Sequence, residues 1–353
     1  MKTNIIQGDS LTILKTIGSE TVDCVITSPP YFQLRKYGDD DMELGREKSI
    51  TDYIANMKSV FSEVYRVMKN EATCFVNISD TYNGNKAKLT NQNKKRSQGD
   101  NDKICKQSDS TIQERSLCLI PERFVIAMAE IGFVIRNHIT WIKPDAMPES
   151  VKNRFTADTE QIYFMTKIPT GYYFKTQHEK MKTIDTTRPR GSLGNELLNS
   201  GRRSTLTHGT FRVSSSRLNA RNENEINTDK RLQENKQDAL GKNTYTGFNS
   251  RYEPPKELVR QLRSSWEIST EGISEAHFAT FPRKLVERMI LSGCPLEDGR
   301  IVLDPFCGSG TTGMVAKEYG LDFIGIELYQ KNVELSRKRI DSIVSYVRLF
   351  EGL

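Results

Sequence analysis

Apolar positions along the chain recur with two alternating periods. Val22-Asp-Cys-Val-Ile-Thr27 is a short apolar run that stops at Ser28-Pro29-Pro30, the pattern of a buried strand ended by prolines. Ile54, Met57, Phe61, Val64 and Met68 then recur every three or four residues and predict an amphipathic helix, and Thr73–Ile78 predicts the next strand. Pro121 suits the first turn of a second helix and Gly132 its end, with Phe124, Val125, Met128 and Ile131 on the buried face. Strands are expected around His138–Ile142 and Gln161–Thr166. After Trp266 the pattern resumes: a helix from Pro282 to Gly293, a strand over Arg300–Asp304, a helix from about Thr311 to Tyr319 and a strand over Phe323–Glu327. Strands alternating with helices imply an α/β fold with a mostly parallel sheet.

Two segments break this rhythm. Residues 84–115 are rich in Asn, Lys, Gln, Ser and Asp with few apolar positions, and read as a mobile loop. Residues 175–265 have weak periodicity and many Arg, Asn, Ser and Thr residues, and read as a separate, loop-rich domain between two halves, 1–174 and 266–353. Charge sharpens the division. The whole 353-residue chain has a formal net charge of +6, yet residues 175–265 hold 18 Lys+Arg against 10 Asp+Glu, a net of +8, and the remainder is at −2. A basic segment beside a near-neutral body suits contact with phosphates, although a solvated insertion has the same composition.

The six cysteines include no CxxC pair and the four histidines are scattered, so no metal site is expected. Cys24 and Cys74 fall in strand-like runs and read as reduced core residues. The opening MKTNIIQGDS lacks the apolar stretch of a secretory signal, and no run reaches membrane-spanning length, so a cytoplasmic location without membrane partners is expected.

Chemistry concentrates at two places. Leu303-Asp304-Pro-Phe306-Cys-Gly308-Ser-Gly310-Thr311-Thr-Gly313 follows a strand and opens a helix, and Glu327 ends the next strand, 19 residues after Gly308. Glycines let the backbone approach a ligand, the helix start offers unpaired N–H groups, and an acid at that spacing is placed to hydrogen-bond a ribose diol. The GxGxxG spacing of Gly308, Gly310 and Gly313 also fits a dinucleotide site, which makes a dehydrogenase the rival from this segment alone. At the second place, Thr27-Ser28-Pro29-Pro30-Tyr31 sits at the carboxyl end of a strand, where ligands bind in open α/β sheets. The prolines remove two donors and leave carbonyls free to accept, Ser28 adds a hydroxyl and Tyr31 a flat face. Acceptors beside an aromatic suit a planar base bearing an amino group, although a proline turn with a packed tyrosine has the same letters.

These segments together resemble the bacterial β-class DNA amino-methyltransferases, the permuted N4-cytosine/N6-adenine family, over most of the chain outside 84–115 and most of 175–265. Ser28-Pro29-Pro30-Tyr31 resembles the family's catalytic motif, in the serine form of the cytosine-N4 enzymes of the PvuII and BamHI type, and Asp304–Gly310 resembles its cofactor motif. Gly8-Asp9-Ser10 resembles the motif whose acid contacts the cofactor adenine, and His277–Pro282 the one lining its methionine end. Thr73–Asp80 and Trp141-Ile-Lys-Pro144 resemble strands beside the base pocket.

The resemblance implies a permuted Rossmann-like, S-adenosylmethionine-dependent methyltransferase sheet, closed by placing the Asp9 strand beside the Glu327 strand. Asp9, Phe281, Asp304, Phe306, Gly308, Gly310, Thr311 and Glu327 would bind S-adenosylmethionine. Residues 175–265 would form the target-recognition domain, with Arg188, Arg190, Arg202, Arg203, Arg212 and Arg217 meeting phosphates or guanines. The implied activity is site-specific methylation of the N4 amino group of cytosine in duplex DNA after base flipping, beside a separately acting restriction endonuclease and without a metal. Adenine-N6 methylation, an RNA substrate and a catalytically silent DNA-binding specificity protein are the alternatives.

Overall fold

Each apolar run forms a strand and each amphipathic run a helix in the computed structural model, except that Met68 begins the following strand rather than ending the helix before it; the structure describes residues 1–34, 42–84, 109–149, 151–180, 259–271 and 282–344. In chain order the elements are β1 (Thr3–Gln7), α1 (Ser10–Leu14), β2 (Val22–Thr27), α2 (Ile50–Val67), β3 (Met68–Ile78), α3 (Ile120–Ile131), β4 (Val134–Ile142), β5 (Thr159–Thr166), β6 (His178–Lys180), β7 (Val259–Gln261), β8 (Ser265–Glu267), α4 (Arg283–Gly293), β9 (Ile301–Asp304), α5 (Thr311–Glu318), β10 (Asp322–Glu327) and α6 (Gln330–Asp341). The chain divides into two compact units, residues 1–177 with 263–353, and residues 178–262.

The first unit holds an eight-stranded sheet in the order β1-β10-β9-β2-β3-β5-β4-β8. Every neighbouring pair is parallel except the two made by β5, which runs against both β3 and β4. β1 pairs in parallel with β10, from Thr3 beside Phe323 to Gln7 beside Glu327, so the two ends of the chain complete one sheet as the permuted order requires. β2, buried at all six positions, lies between β3 and β9. The loops after β2 and β9 therefore leave the same edge of the sheet side by side.

Helix ends follow local chemistry. Ser49 caps α2 by accepting from Asp52 N at 3.0 Å. Gly132, at φ 121°, ends α3. Tyr53, Met57, Phe61 and Val64 bury one face of α2, and the ring of Phe61 meets that of Phe124 from α3 edge-on at 5.0 Å. Burying an aromatic of this size contributes roughly 1.5–3 kcal/mol. On α3 the fully buried positions include Phe124 and Met128, while Val125 and Ile131 are only partly covered. The described end of the polar 84–115 segment is tied down: Asp109 accepts from Ile50 N at 3.1 Å, and Asn83 exchanges hydrogen bonds with Asp109.

In the second unit the described strands β6 and β7 form an antiparallel pair, with Arg260 and Glu179 bridged at 2.7 Å. The six arginines from Arg188 to Arg217, and Phe281 in the first unit, lie outside the described residues. Among the described residues no helix is long and apolar enough to cross a membrane.

Candidate active site

A cavity of about 790 Å³ opens at the carboxyl edge of the sheet. Both places singled out in the sequence line it: Ser28, Pro29, Pro30 and Tyr31 from the loop after β2, and Asp304 to Ser309 from the loop after β9. The two loops are joined through Asp304. Its carboxylate accepts from Thr27 Oγ1 at 2.7 Å, from Thr312 Oγ1 at 2.7 Å and from Phe306 N at 3.1 Å. Burial pushes this carboxyl up to about 6, against the pull of those three donors. Asp304 thus ties the end of β2 to the turn that follows its own strand.

The other acids on this side are also held by the chain. Asp9 caps α1, its Oδ2 accepting from Thr12 N and Thr12 Oγ1 at 2.8 Å each. Glu327 accepts from Gly308 N at 2.9 Å on one oxygen, and from Tyr329 N at 2.9 Å and Asn332 Nδ2 at 3.1 Å on the other. Burial raises its carboxyl above the usual range while these donors lower it. Ser10 Oγ donates to Pro305 O at 2.5 Å and draws the β1 turn against the glycine loop.

The three glycines divide their work. Gly308, at φ 52°, has open space where a Cβ would stand, its nearest neighbour being Phe306 O at 3.9 Å. Gly313 faces inward, and a Cβ there would lie 2.4 Å from Ile340 Cδ1 and 2.6 Å from Phe323 Cε1. The first leaves room for a ligand, while Gly310, at φ 82° with Ser336 Cβ 2.8 Å from where a Cβ would stand, and Gly313 let α5 pack on α6 and β10. Thr311, at the start of α5, lines the cavity with an Oγ1 that is buried and has no hydrogen-bond partner among the described residues. Burial pushes the Cys307 thiol well up, with Asp304 and Glu327 adding to it, so it stays protonated and is no nucleophile. An open glycine cradle, an orphaned hydroxyl at a helix start and an acid at the end of the next strand fit an adenosyl cofactor with a polar tail.

The opposite end of the cavity is built from side chains. Ser28 Oγ donates to Tyr31 Oη at 3.2 Å, and Tyr31 Oη donates to Glu160 Oε2 at 2.7 Å. Asn77 Nδ2 donates to Tyr31 Oη at 2.8 Å and to Glu160 Oε2 at 2.7 Å, and Lys143 pairs with Glu160 Oε1. The Lys143 ammonium lies 4.9 Å from the centre of the Trp141 ring. Tyr53 Oη occupies the Pro30 carbonyl at 2.9 Å. Among the described residues no donor reaches the carbonyl of Pro29.

Asp80, in the strand expected beside the base pocket, accepts from Leu119 N and Ile120 N at 3.0 Å each and from Thr81 N at 2.8 Å. It caps the start of α3, and burial raises its carboxyl despite these bonds. Asn77, Glu160 and Tyr329, whose hydroxyl donates to Glu43 at 2.7 Å, were not singled out in the sequence. An asparagine inside an otherwise apolar strand is the one local signal that marked any of them.

Comparison with known proteins matches this arrangement. The N6/N4 methyltransferase family model, described as DNA methylase, matches residues 22–338. The chain is 29% identical to the type II methyltransferase M.Cfr9I of Citrobacter freundii over 95% of this chain and 87% of that protein, and 28% identical to M.SmaI of Serratia marcescens over 95% and 90%. Its fold is similar to that of the PvuII cytosine-N4-specific DNA methyltransferase, with a TM-score of 0.56 at 18% identity over 99% of this chain and 91% of that one. It is also similar to that of a putative DNA modification methylase of Thermus thermophilus complexed with S-adenosyl-L-methionine, with a TM-score of 0.50 at 17% identity over 96% and 93%. With the Ser28–Tyr31 and glycine loops facing one cavity, and a family match spanning both, the chain belongs to the N6/N4 DNA methylase family and is an S-adenosylmethionine-dependent DNA methyltransferase.

Proposed function

We propose that this enzyme methylates the N4 amino group of cytosine at a defined site in duplex DNA, acting on a base flipped out of the helix. The observation that carries the reading is the direction of one hydrogen bond. Because Ser28 Oγ donates to Tyr31, its lone pairs remain to accept from the target, and it accepts as a neutral group beside the Pro29 carbonyl. Two acceptors on one amino group favour its pyramidal form, whose lone pair is free to attack. Flipping costs a few kcal/mol and is offset by stacking, for which Tyr31 supplies the face.

S-adenosylmethionine, when bound, supplies the electrophilic methyl group. Gly308, Gly310, Thr311, Phe306 and Glu327 would hold it with Asp9 and Phe281. Asp304, with its carboxylate oxygens already engaged by Thr27, Thr312 and Phe306 N, would act by holding the loop. Residues 175–265 would read the target sequence through arginines such as Arg188, Arg190, Arg202, Arg203, Arg212 and Arg217, as their net charge of +8 supports. The type II names of its relatives support a role beside a restriction endonuclease that acts separately.

Digesting DNA methylated by the pure enzyme and identifying the nucleoside by mass spectrometry tests the central point. N4-methylcytosine is expected. N6-methyladenine alone would overturn the choice of base, and loss of transfer to every duplex in a protein that still binds DNA would favour a silent specificity protein.

A further inference from the structure

We infer that the proton released on methylation leaves through a relay from Ser28 to Tyr31 to Glu160; this rests on the reading above that an exocyclic amino group accepts the methyl. When the new N–C bond forms, the C–S bond breaks with its electron pair staying on sulfur, and the amino nitrogen becomes cationic. It returns to neutrality by giving up one N–H. Something must take that proton, and the serine form of the catalytic motif has no carboxylate of its own.

The hydrogen-bond directions set the path. Ser28 Oγ already donates to Tyr31 Oη at 3.2 Å, and Tyr31 Oη to Glu160 Oε2 at 2.7 Å. As Ser28 takes the proton of the base it hands its own to Tyr31, which hands its own to Glu160. Both hydroxyls end neutral and Glu160 ends as a carboxylic acid. Its side chain is 13% exposed, enough to shed the proton to solvent afterwards.

The surrounding groups engage both oxygens of the terminal carboxylate. Lys143 faces Oε1, and Asn77 donates to Oε2 and to Tyr31 at once. The Asn77 amide oxygen is buried without a partner among the described residues, a cost incurred because turning the amide over would place oxygen against the carboxylate. The competing acids are committed elsewhere: Asp80 to the start of α3, Asp304 to Thr27, Thr312 and Phe306 N, Asp9 to α1, and Glu43 to Tyr329. In this relay Glu160 works through Tyr31, so it is a positioning and proton-accepting residue.

The test compares Glu160→Gln, Tyr31→Phe and the double variant in single-turnover methyl transfer across pH, with cofactor affinity followed by calorimetry. Tyr31→Phe keeps the aromatic face and removes only the hydroxyl. Each single change should slow transfer about a hundredfold and erase the acid-side limb of the wild-type pH profile. The double variant should be no slower than the slower single one, Glu160→Asp should recover part of the rate, and cofactor affinity should stay unchanged.

The other charged groups lining this cavity are Lys143, Asp80, Glu271, Asp9, Glu43, Asp304 and Glu327, and the limb should persist in Glu271→Gln. Wild-type transfer rates with an intact limb in Tyr31→Phe would overturn the relay. So would slow variants that keep the limb and whose effects multiply, since these mark a scaffold. Absence of transfer to an amino nitrogen by the wild type would instead overturn the underlying reading.

Discussion

The two ends of the cavity carry carboxylates under different management. At the glycine-loop end Glu327 is gripped chiefly by main-chain N–H groups, Asp9 by the N–H and hydroxyl of Thr12, and Asp304 by Thr27 and Thr312 as well as Phe306 N. At the base end Glu160 is gripped by Tyr31, Asn77 and Lys143, side chains from separate strands and loops. Charges fixed by short turns form a rigid mount, whereas charges held by a side-chain network can exchange protons and adjust to a guest. On the proposed function, the cofactor would meet turns and main chain and the target base would meet a side-chain network.

The sharpest way to break this contrast is Ser28→Ala. Removing one hydroxyl from the network end should cut kcat by about 10²–10³-fold, the usual range for a transition-state hydrogen-bonding group. Affinity for DNA and cofactor should change little, because on the proposed function the hydroxyl serves the flipped base and not the DNA backbone. Rapid-quench kinetics beside binding isotherms will show the split, and an equal loss in binding and turnover would place Ser28 in the scaffold.

Gly308→Val probes the rigid end. Its new side chain would fill the open space beside Phe306 O and sit at φ 52°. Cofactor affinity by calorimetry should weaken at least about tenfold, or ~1.4 kcal/mol, while DNA retention persists. Unchanged cofactor affinity would remove the glycine loop from the site.

An effect on stability rather than on affinity or turnover is expected from Thr27→Val, which keeps the shape and takes one donor from Asp304. Leaving a buried carboxylate short of a donor should cost about 1–3 kcal/mol of stability. The pH dependence follows from the same carboxyl. Asp304 sits at about 6 in the fold against an ordinary 3.8, so the folded chain holds the proton longer than the unfolded one. Its contribution to stability is fullest below 3.8 and declines as pH rises through about 6. Thr27→Val should carry that decline to higher pH, measurable by denaturant unfolding at several pH values, and Asp304→Asn should abolish it.

The rigid end was largely legible in the sequence because its parts are local. Strand, glycine turn, helix and acid all fall between Ile301 and Glu327, and the pairing of β1 with β10 follows once the catalytic strand comes early and the cofactor strand late. What spacing alone did not reveal is that Gly313 serves packing and that Asp9 and Glu327 have structural bonds of their own. The network end was legible only at Ser28–Tyr31 and Trp141–Pro144. Glu160 lies 129 residues from Tyr31 and reaches it because β5 enters the sheet reversed, an orientation that alternation of strands and helices does not encode. The arginines of the basic segment and Phe281 fall outside the described residues, so their roles still rest on charge and resemblance.

The pairing of β1 with β10 also sets a timetable for synthesis. Thr3 finds its partner only when Phe323 has been made, and the cavity needs the Asp9 turn together with residues 304–327. At roughly 5–20 residues per second, this leaves the first strand waiting many seconds on the ribosome before its place in the sheet exists. A nascent or truncated chain lacking β10 therefore has no complete cofactor site. The activity therefore arises all at once, when the strand that pairs with β1 has been made, and never from a half-built sheet.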